Sequence, residues 1–170
     1  VLVATWVHDY APAIRGLVLA SPAFKVKLYV PLARPALALW HRLRGLFFIN
    51  SYVKGRYLTH DRQRVASFNN DPLITRAIAV NILLDLFKTS ERIVSDAAAI
   101  TLPTQLLISG DDYVVHRQPQ IDFYQRLRSP LKELHLLPGF YHDTLGEENR
   151  AQAFEKMQSL DLTEGILQRP

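Results

Sequence analysis

The chain has 170 residues, 48% hydrophobic and 21% charged, with a formal net charge of +4 and no cysteine. It is long enough for one domain with a real core and too short for two large ones. The missing cysteines exclude a disulfide framework, thiolate metal sites and a cysteine nucleophile, and fit a reducing, cytoplasmic setting. The basic residues are spread from Arg15 to Arg169 without a dense block, so no nucleic-acid footprint is indicated.

In chain order, residues 1–10 ("VLVATWVHDY") read as the body of a helix with no capping residue before it. "IRGLVLASP", 14–22, is a short apolar run closed by Ser21-Pro22, as expected of a buried parallel strand. From Phe24 to Ala99 prolines punctuate segments with helical spacing. In "PLITRAIAVNILLDLFKTSERIVSDAAAI", Ile74, Ile78, Ile82 and Leu86 recur at every fourth position and predict one apolar face, with Asp71 as N-cap and Pro72 as first helical residue. No apolar run reaches the roughly 18 residues of a membrane span. The nearest, "LYVPLARPALALWHRLRGLFFI", is broken by Arg34, Arg42 and Arg44.

After Pro103 strands and helices alternate. "TQLLISG" predicts a buried strand, "RQPQIDFYQRLR" an amphipathic helix, "KELHLLPG" another strand and "RAQAFEKMQSL" a closing helix, before a loose tail at 161–170. The expected architecture is α/β: parallel strands with a helical insertion after the first.

Two strand ends carry chemistry. Asp112 follows one strand in "LISGDDYVVH", and His142 follows the next in "LPGFYHDTLGE". In open α/β sheets the loops at the carboxyl ends of strands converge on one crevice, where a carboxylate can orient an imidazole and stabilise its protonated form. Either residue alone is as easily a turn residue, a cap or a core histidine; their order on successive strand ends favours an acid–base pair. Asp111 is the rival acid, expected to face solvent. His135, inside a strand, reads as structural, and His116 could line the crevice or begin a helix. His8, His41 and His60 have no partners at ligand spacing, so no metal is expected. The pair lacks a nucleophile: no two of the seven glycines bracket a serine as G-x-S-x-G, and Ser21 and Ser109 lie at strand ends without that elbow.

The chain resembles the later part of the α/β-hydrolase superfamily's monoacylglycerol lipase and lysophospholipase group, the serine-aminopeptidase-like hydrolases. "IRGLVLASPAF" resembles the strand after the nucleophile helix, and "FNNDPLITRA" the lid motif of this group. "LPTQLLISGDDYVV" resembles the acid loop, where the valines following Asp112 favour it over Asp111. "LPGFYHDTLGE" resembles the histidine loop, with His142 as base. One departure is that Gly110 and Asp112 are two positions apart, where relatives commonly have three.

The resemblance implies a C-terminal portion of an α/β-hydrolase fold. Residues 1–23 would be the end of the nucleophile helix and its following strand, 24–99 the lid, and 100–160 the core with the acid and histidine loops. Val1 would lie roughly three to five residues past an elbow serine that the chain does not include. The implied activity is hydrolysis of lipid-like carboxylic esters without a cofactor, and the 170 residues alone are expected to be inactive. An aminopeptidase, or a non-catalytic remnant serving as a binding module, is the alternative. Lid aromatics would line an acyl tunnel, while Trp40, Phe47 and Phe48, with Arg42 and Arg44 near headgroups, could touch a membrane surface.

Overall fold

The computed structural model describes residues 1–160; the tail expected at 161–170 lies outside the described residues. Three parallel strands form the central sheet in the order β1-β4-β5: β1 (Leu17–Ala20), β4 (Thr104–Ser109) and β5 (Lys132–Leu137). Leu17 pairs with Thr104 and Ala20 with Leu107 on one side of β4, while Thr104 pairs with Lys132 and Ser109 with Leu137 on the other. All six residues of β4 are buried, as expected of a strand flanked on both edges and covered on both faces.

Side chains alternate across the sheet, so neighbouring leucines on β4 serve different layers. Leu106 packs with Ala4 and Val7 of α1 (Leu2–Tyr10), Ile93 and Val94 of α4 (Val80–Ser95), and Phe123 of α5 (Gln118–Arg126). Leu107 faces the other layer, with Phe140 and Ala153 of α6 (Arg150–Gln158). The helix expected at 1–10 forms and ends at Ala11, in the left-handed region with φ 39°, whose N–H reaches the Val7 carbonyl.

Between β1 and β4 lie α2 (Ala33–Arg44), β2 (Phe48–Asn50), α3 (Arg62–Asn70) and β3 (Ala77–Ala79), which runs directly into α4. Gly45, at φ 77°, ends α2, and the Asp61 carboxylate caps α3 by accepting the Gln63 and Arg64 N–H groups. This segment is not wholly helical: β2 and β3 pair antiparallel, Phe48 with Ala79 and Asn50 with Ala77.

That pairing overturns the long helix expected from Pro72. Asp71 ends α3, and its side chain accepts the Leu73 N–H at 2.9 Å in a turn. The chain stays extended through Ala79, and α4 starts only at Val80. The apolar face expected at Ile74, Ile78, Ile82 and Leu86 is not the buried one: Ile82 is 63% exposed, and the core side of α4 is Val80, Leu83, Phe87, Ser90, Ile93 and Val94. Among the described residues, no helix is long and apolar enough to cross a membrane.

Candidate functional site

The loops after β4 and β5 are tied where they cross. The Gly110 N–H donates to the Leu137 carbonyl at 2.8 Å and the Asp111 N–H to the Phe140 carbonyl at 2.9 Å. A Cβ on Gly110 would stand 2.8 Å from both the Leu137 oxygen and the Pro138 Cα, so glycine is needed for this approach. The crossing fixes which aspartate turns inward. Asp111 is exposed, as expected from the sequence, and Asp112 is buried.

Asp112 divides its oxygens between two tasks. Oδ1 accepts the backbone N–H groups of Val114 at 2.7 Å and Val115 at 2.9 Å. Oδ2 lies 2.8 Å from His142 Nδ1. An ionised carboxylate can only accept, so Nδ1 carries a proton, and in the neutral ring Nε2 is left with the lone pair. Burial pushes the Asp112 carboxyl upward. The His142 hydrogen bond and charge, with the two valine amides, outweigh it and hold the group below the ordinary aspartate value.

The pair is therefore an ionised acid orienting an imidazole, whose Nε2 accepts a proton whenever the ring is neutral. Among the described residues, Asp112 is the hydrogen-bond partner of the ring. Ser21 and Ser109 are buried, and both hydroxyls meet Thr144 Oγ1 at 2.9 Å. The three hydroxyls join the ends of β1, β4 and the histidine loop in one knot.

Of the other histidines, His60 packs on Tyr141 beside this loop, with ring centres 3.8 Å apart, and the rest have partners of their own or are exposed. His135 Nε2 bonds Glu133 at 2.9 Å within β5, and His41 Nδ1 lies 2.9 Å from the Gly45 carbonyl. His8 sits between Asp9 and Asp96 at 2.6 and 2.9 Å. His116 is exposed; burial and the charges of Lys25 and Lys27 lower its pKa. Among the described residues no group of three or more His, Cys, Asp or Glu side chains is placed to hold a metal.

Tyr113, next to Asp112, lines an apolar cavity of about 950 Å³ whose walls include Leu37 and Trp40 of α2, Phe47, and Ile49 of β2. Lys54 is the one charged side chain lining it. The Tyr52 hydroxyl donates to the Lys27 carbonyl at 2.6 Å, and burial pushes its pKa up to about 12. That phenol is a neutral fixture of the wall.

Sequence reasoning missed two groups beside His142. Tyr141 meets Tyr113 edge-on, with ring centres 5.0 Å apart. Glu147 is a buried carboxylate that accepts the Tyr141 N–H at 2.8 Å. "GEEN" is an ordinary surface pattern, and nothing in it separates Glu147 from the exposed Glu148.

In sequence and fold the chain is similar to known proteins. The chain is 96% identical over 159 residues to the protein YnbC of Escherichia coli (strain K12), a match covering 94% of this chain and 27% of that protein. It is 26% identical over 156 residues to Phospholipase YtpA of Bacillus subtilis (strain 168), covering 88% of this chain and 59% of YtpA. The solved monoacylglycerol lipase of Paleococcus ferrophilus superposes with a TM-score of 0.81 at 19% identity, over 92% of this chain and 61% of that one. The chain thus spans less than two thirds of each of these proteins. The profile of the family described as "Serine aminopeptidase, S33" matches residues 1–149. With that match, on an α/β-hydrolase fold, the chain belongs to the serine aminopeptidase S33 family of hydrolases.

Proposed function

We propose that these residues are the acid–base half of a serine ester hydrolase acting on lipid-like carboxylic esters, with its nucleophile on a segment outside the 170 residues. The observation that carries the reading is the 2.8 Å contact between Asp112 and His142 Nδ1, one residue from the wall of the apolar cavity. His142 Nε2 takes the proton of the attacking serine and returns it to the departing alcohol. Asp112 holds the tautomer and stabilises the imidazolium. Residues 24–99 form the lid, and its cavity receives the acyl chain.

Lining chemistry favours an ester over a peptide substrate. A site that selects a free amino terminus needs a carboxylate to meet the ammonium, and among the described residues no Asp or Glu lines the cavity. The names of YtpA and of the Paleococcus ferrophilus enzyme, a phospholipase and a monoacylglycerol lipase, support the lipid class. The half-buried to exposed face of α2, with Leu39, Trp40 and Leu43 beside Arg42 and Arg44, suits contact with a lipid surface during substrate uptake.

The experiment is labelling with a fluorophosphonate, read by intact mass, on the 170-residue chain and on a longer protein containing it. One adduct on the longer protein, lost in His142→Ala, and none on the short chain is the expected result. No adduct on the longer protein would overturn the serine hydrolase. Ester hydrolysis by the short chain that disappears in His142→Ala would overturn the external nucleophile.

A further inference from the structure

The loop that carries His142 has little regular structure of its own. It leaves β5 at Leu137 and enters α6 at Arg150, with one turn of 3-10 helix at Thr144–Gly146 between them. A loop side chain is placed only as well as its flanking backbone, and here both flanks are tied to residues 58–60. The Asp143 N–H donates to the Leu58 carbonyl at 2.8 Å. On the other flank, the Tyr141 N–H donates to Glu147 Oε1 at 2.8 Å.

Glu147 is the hub of this tie. Its side chain is 3% exposed. Oε2 accepts the His60 backbone N–H at 3.0 Å, and the His60 Nδ1 lies 3.1 Å from both oxygens. The Thr59 hydroxyl sits 2.8 Å from the Gly146 carbonyl and 3.3 Å from Oε2. Stacking adds to the tie: the His60 and Tyr141 rings are 3.8 Å apart between centres. Burial pushes the Glu147 carboxyl upward, but the amides of His60 and Tyr141 and the His60 side chain more than compensate, so the group is held ionised.

A buried carboxylate is costly unless donors surround it, and this one has them from both segments. We propose that Glu147 is a positioning residue for His142: its buried charge fastens Tyr141 to the 59–60 segment and so fixes the imidazole against Asp112. The inference rests on the catalytic reading of His142 for its functional meaning, though not for its structural content. Glu147 touches no reacting atom. Its effect passes through the backbone of Tyr141.

The test pairs Glu147→Gln with Thr59→Val. Gln keeps the size but replaces one acceptor oxygen with an N–H₂ that must face either the Tyr141 or the His60 amide. Thr59→Val removes the hydroxyl, which links to Gly146 and Glu147 and also accepts the Asp61 N–H at 3.0 Å, and keeps the carboxylate, so it remains informative if the Gln variant fails to fold. The first readout is NMR of the 170-residue chain. The hydrogen-bonded Nδ1 proton of His142 is a downfield, slowly exchanging signal in the native chain, lost or broadened in both variants while the amide signals of β4 and β5 stay in place. An unchanged His142 signal in a folded Glu147→Gln chain would overturn the proposal.

The second readout is ester turnover by a longer protein containing this sequence. Loss of alignment lowers kcat roughly 10- to 100-fold, with KM within about twofold, since the acyl cavity is untouched. Equal change in kcat and KM, or none in either, would overturn the positioning role. A longer protein that takes up no fluorophosphonate even as wild type would sink the hydrolase reading instead, and the NMR comparison would still decide the clamp.

Discussion

Replacing Asp112 by Asn exchanges one carboxylate oxygen for an amide nitrogen without changing shape, and the structure dictates which way the amide sits. The Val114 and Val115 N–H groups both point at one oxygen, at 2.7 and 2.9 Å. Turning the amide nitrogen toward them would set donor against donor twice, so the Asn oxygen stays there and its N–H₂ faces His142. Nδ1 must then accept, which moves the ring proton to Nε2, the nitrogen that takes the serine's proton in the proposed mechanism. Loss of the correct tautomer costs on the order of 10⁴-fold in turnover where such a pair drives acyl transfer, or about 5.5 kcal/mol of barrier. Two assays read it: ester turnover by the longer protein, and nitrogen-15 NMR of the His142 ring in the 170-residue chain. Asp111→Asn, at the exposed neighbour, should leave both unchanged. Turnover of Asp112→Asn within tenfold of wild type, or a ring that keeps its Nδ1 proton, would refute the reasoning. The carboxyl of Asp112 is held below its ordinary value, so its share of stability is present above about pH 3.9 and lost as pH falls through the lowered value. The Asn variant lacks that acid-side loss.

Gly110→Ala should destabilise the chain by about 1–3 kcal/mol, because its new methyl meets the backbone of Leu137 and Pro138 rather than a movable side chain. A denaturant titration reads this, and a midpoint unchanged from wild type would show that the two loops can separate at no cost. Ala36→Trp, which adds bulk to the wall of the apolar cavity, should reduce turnover of long-chain esters at least 10-fold relative to short ones. Parallel losses for all chain lengths would mean that the acyl group lies elsewhere. At His8, the hydrogen bond to Asp9 raises the imidazole pKa, burial opposes this, and Asp96 adds to the rise. Arg92, which pairs with Asp9, is the cation facing the same cluster. A raised folded value means that the stabilisation is complete below about pH 6.5 and is lost as pH rises through that raised value. The melting temperature should therefore fall with rising pH above 6.5 more steeply in wild type than in His8→Gln, and superimposable curves would refute it.

The middle strand was legible because it is buried on both faces. A continuous apolar run such as "QLLIS" closed by glycine leaves little else for the chain to do, and β4 occupies that stretch. The choice between Asp111 and Asp112 was legible only in part. Two apolar residues following an acid suggest that their amides turn back toward it, and Val114 and Val115 do so. What failed was local. "AIA" at 77–79 suits a helix as well as a strand, and the residues that make it a strand, Phe48–Asn50, lie almost thirty positions away. The strict four-residue stride of Ile74, Ile78, Ile82 and Leu86 also misled. Each such step advances about 400°, so the row drifts by about 40° per step around the helix. The buried side of α4 mixes strides of three and four, Val80, Leu83, Phe87, Ser90 and then the adjacent Ile93 and Val94, which holds it over the sheet.

Asp112 and Glu147 make the same point from opposite sides. Both are buried, ionised and surrounded by donors, and both are tied to a histidine. Asp112 was readable because its nearest donors, the valine amides, follow it directly in the chain, so the local pattern already contained half of its environment. Glu147 takes its main donors from His60 and Tyr141, 87 and 6 positions away. In sequence it is one acid of a polar pair, and only the fold separates it from Glu148. A carboxylate that positions another residue through distant backbone has no motif of its own, because what it recognises is a conformation and not a neighbouring residue type. Such groups must be found by asking which buried charges are fully satisfied and what those satisfying groups hold in place. On that criterion Glu147 stands next to Asp112: one orients the imidazole directly, the other holds the loop that presents it.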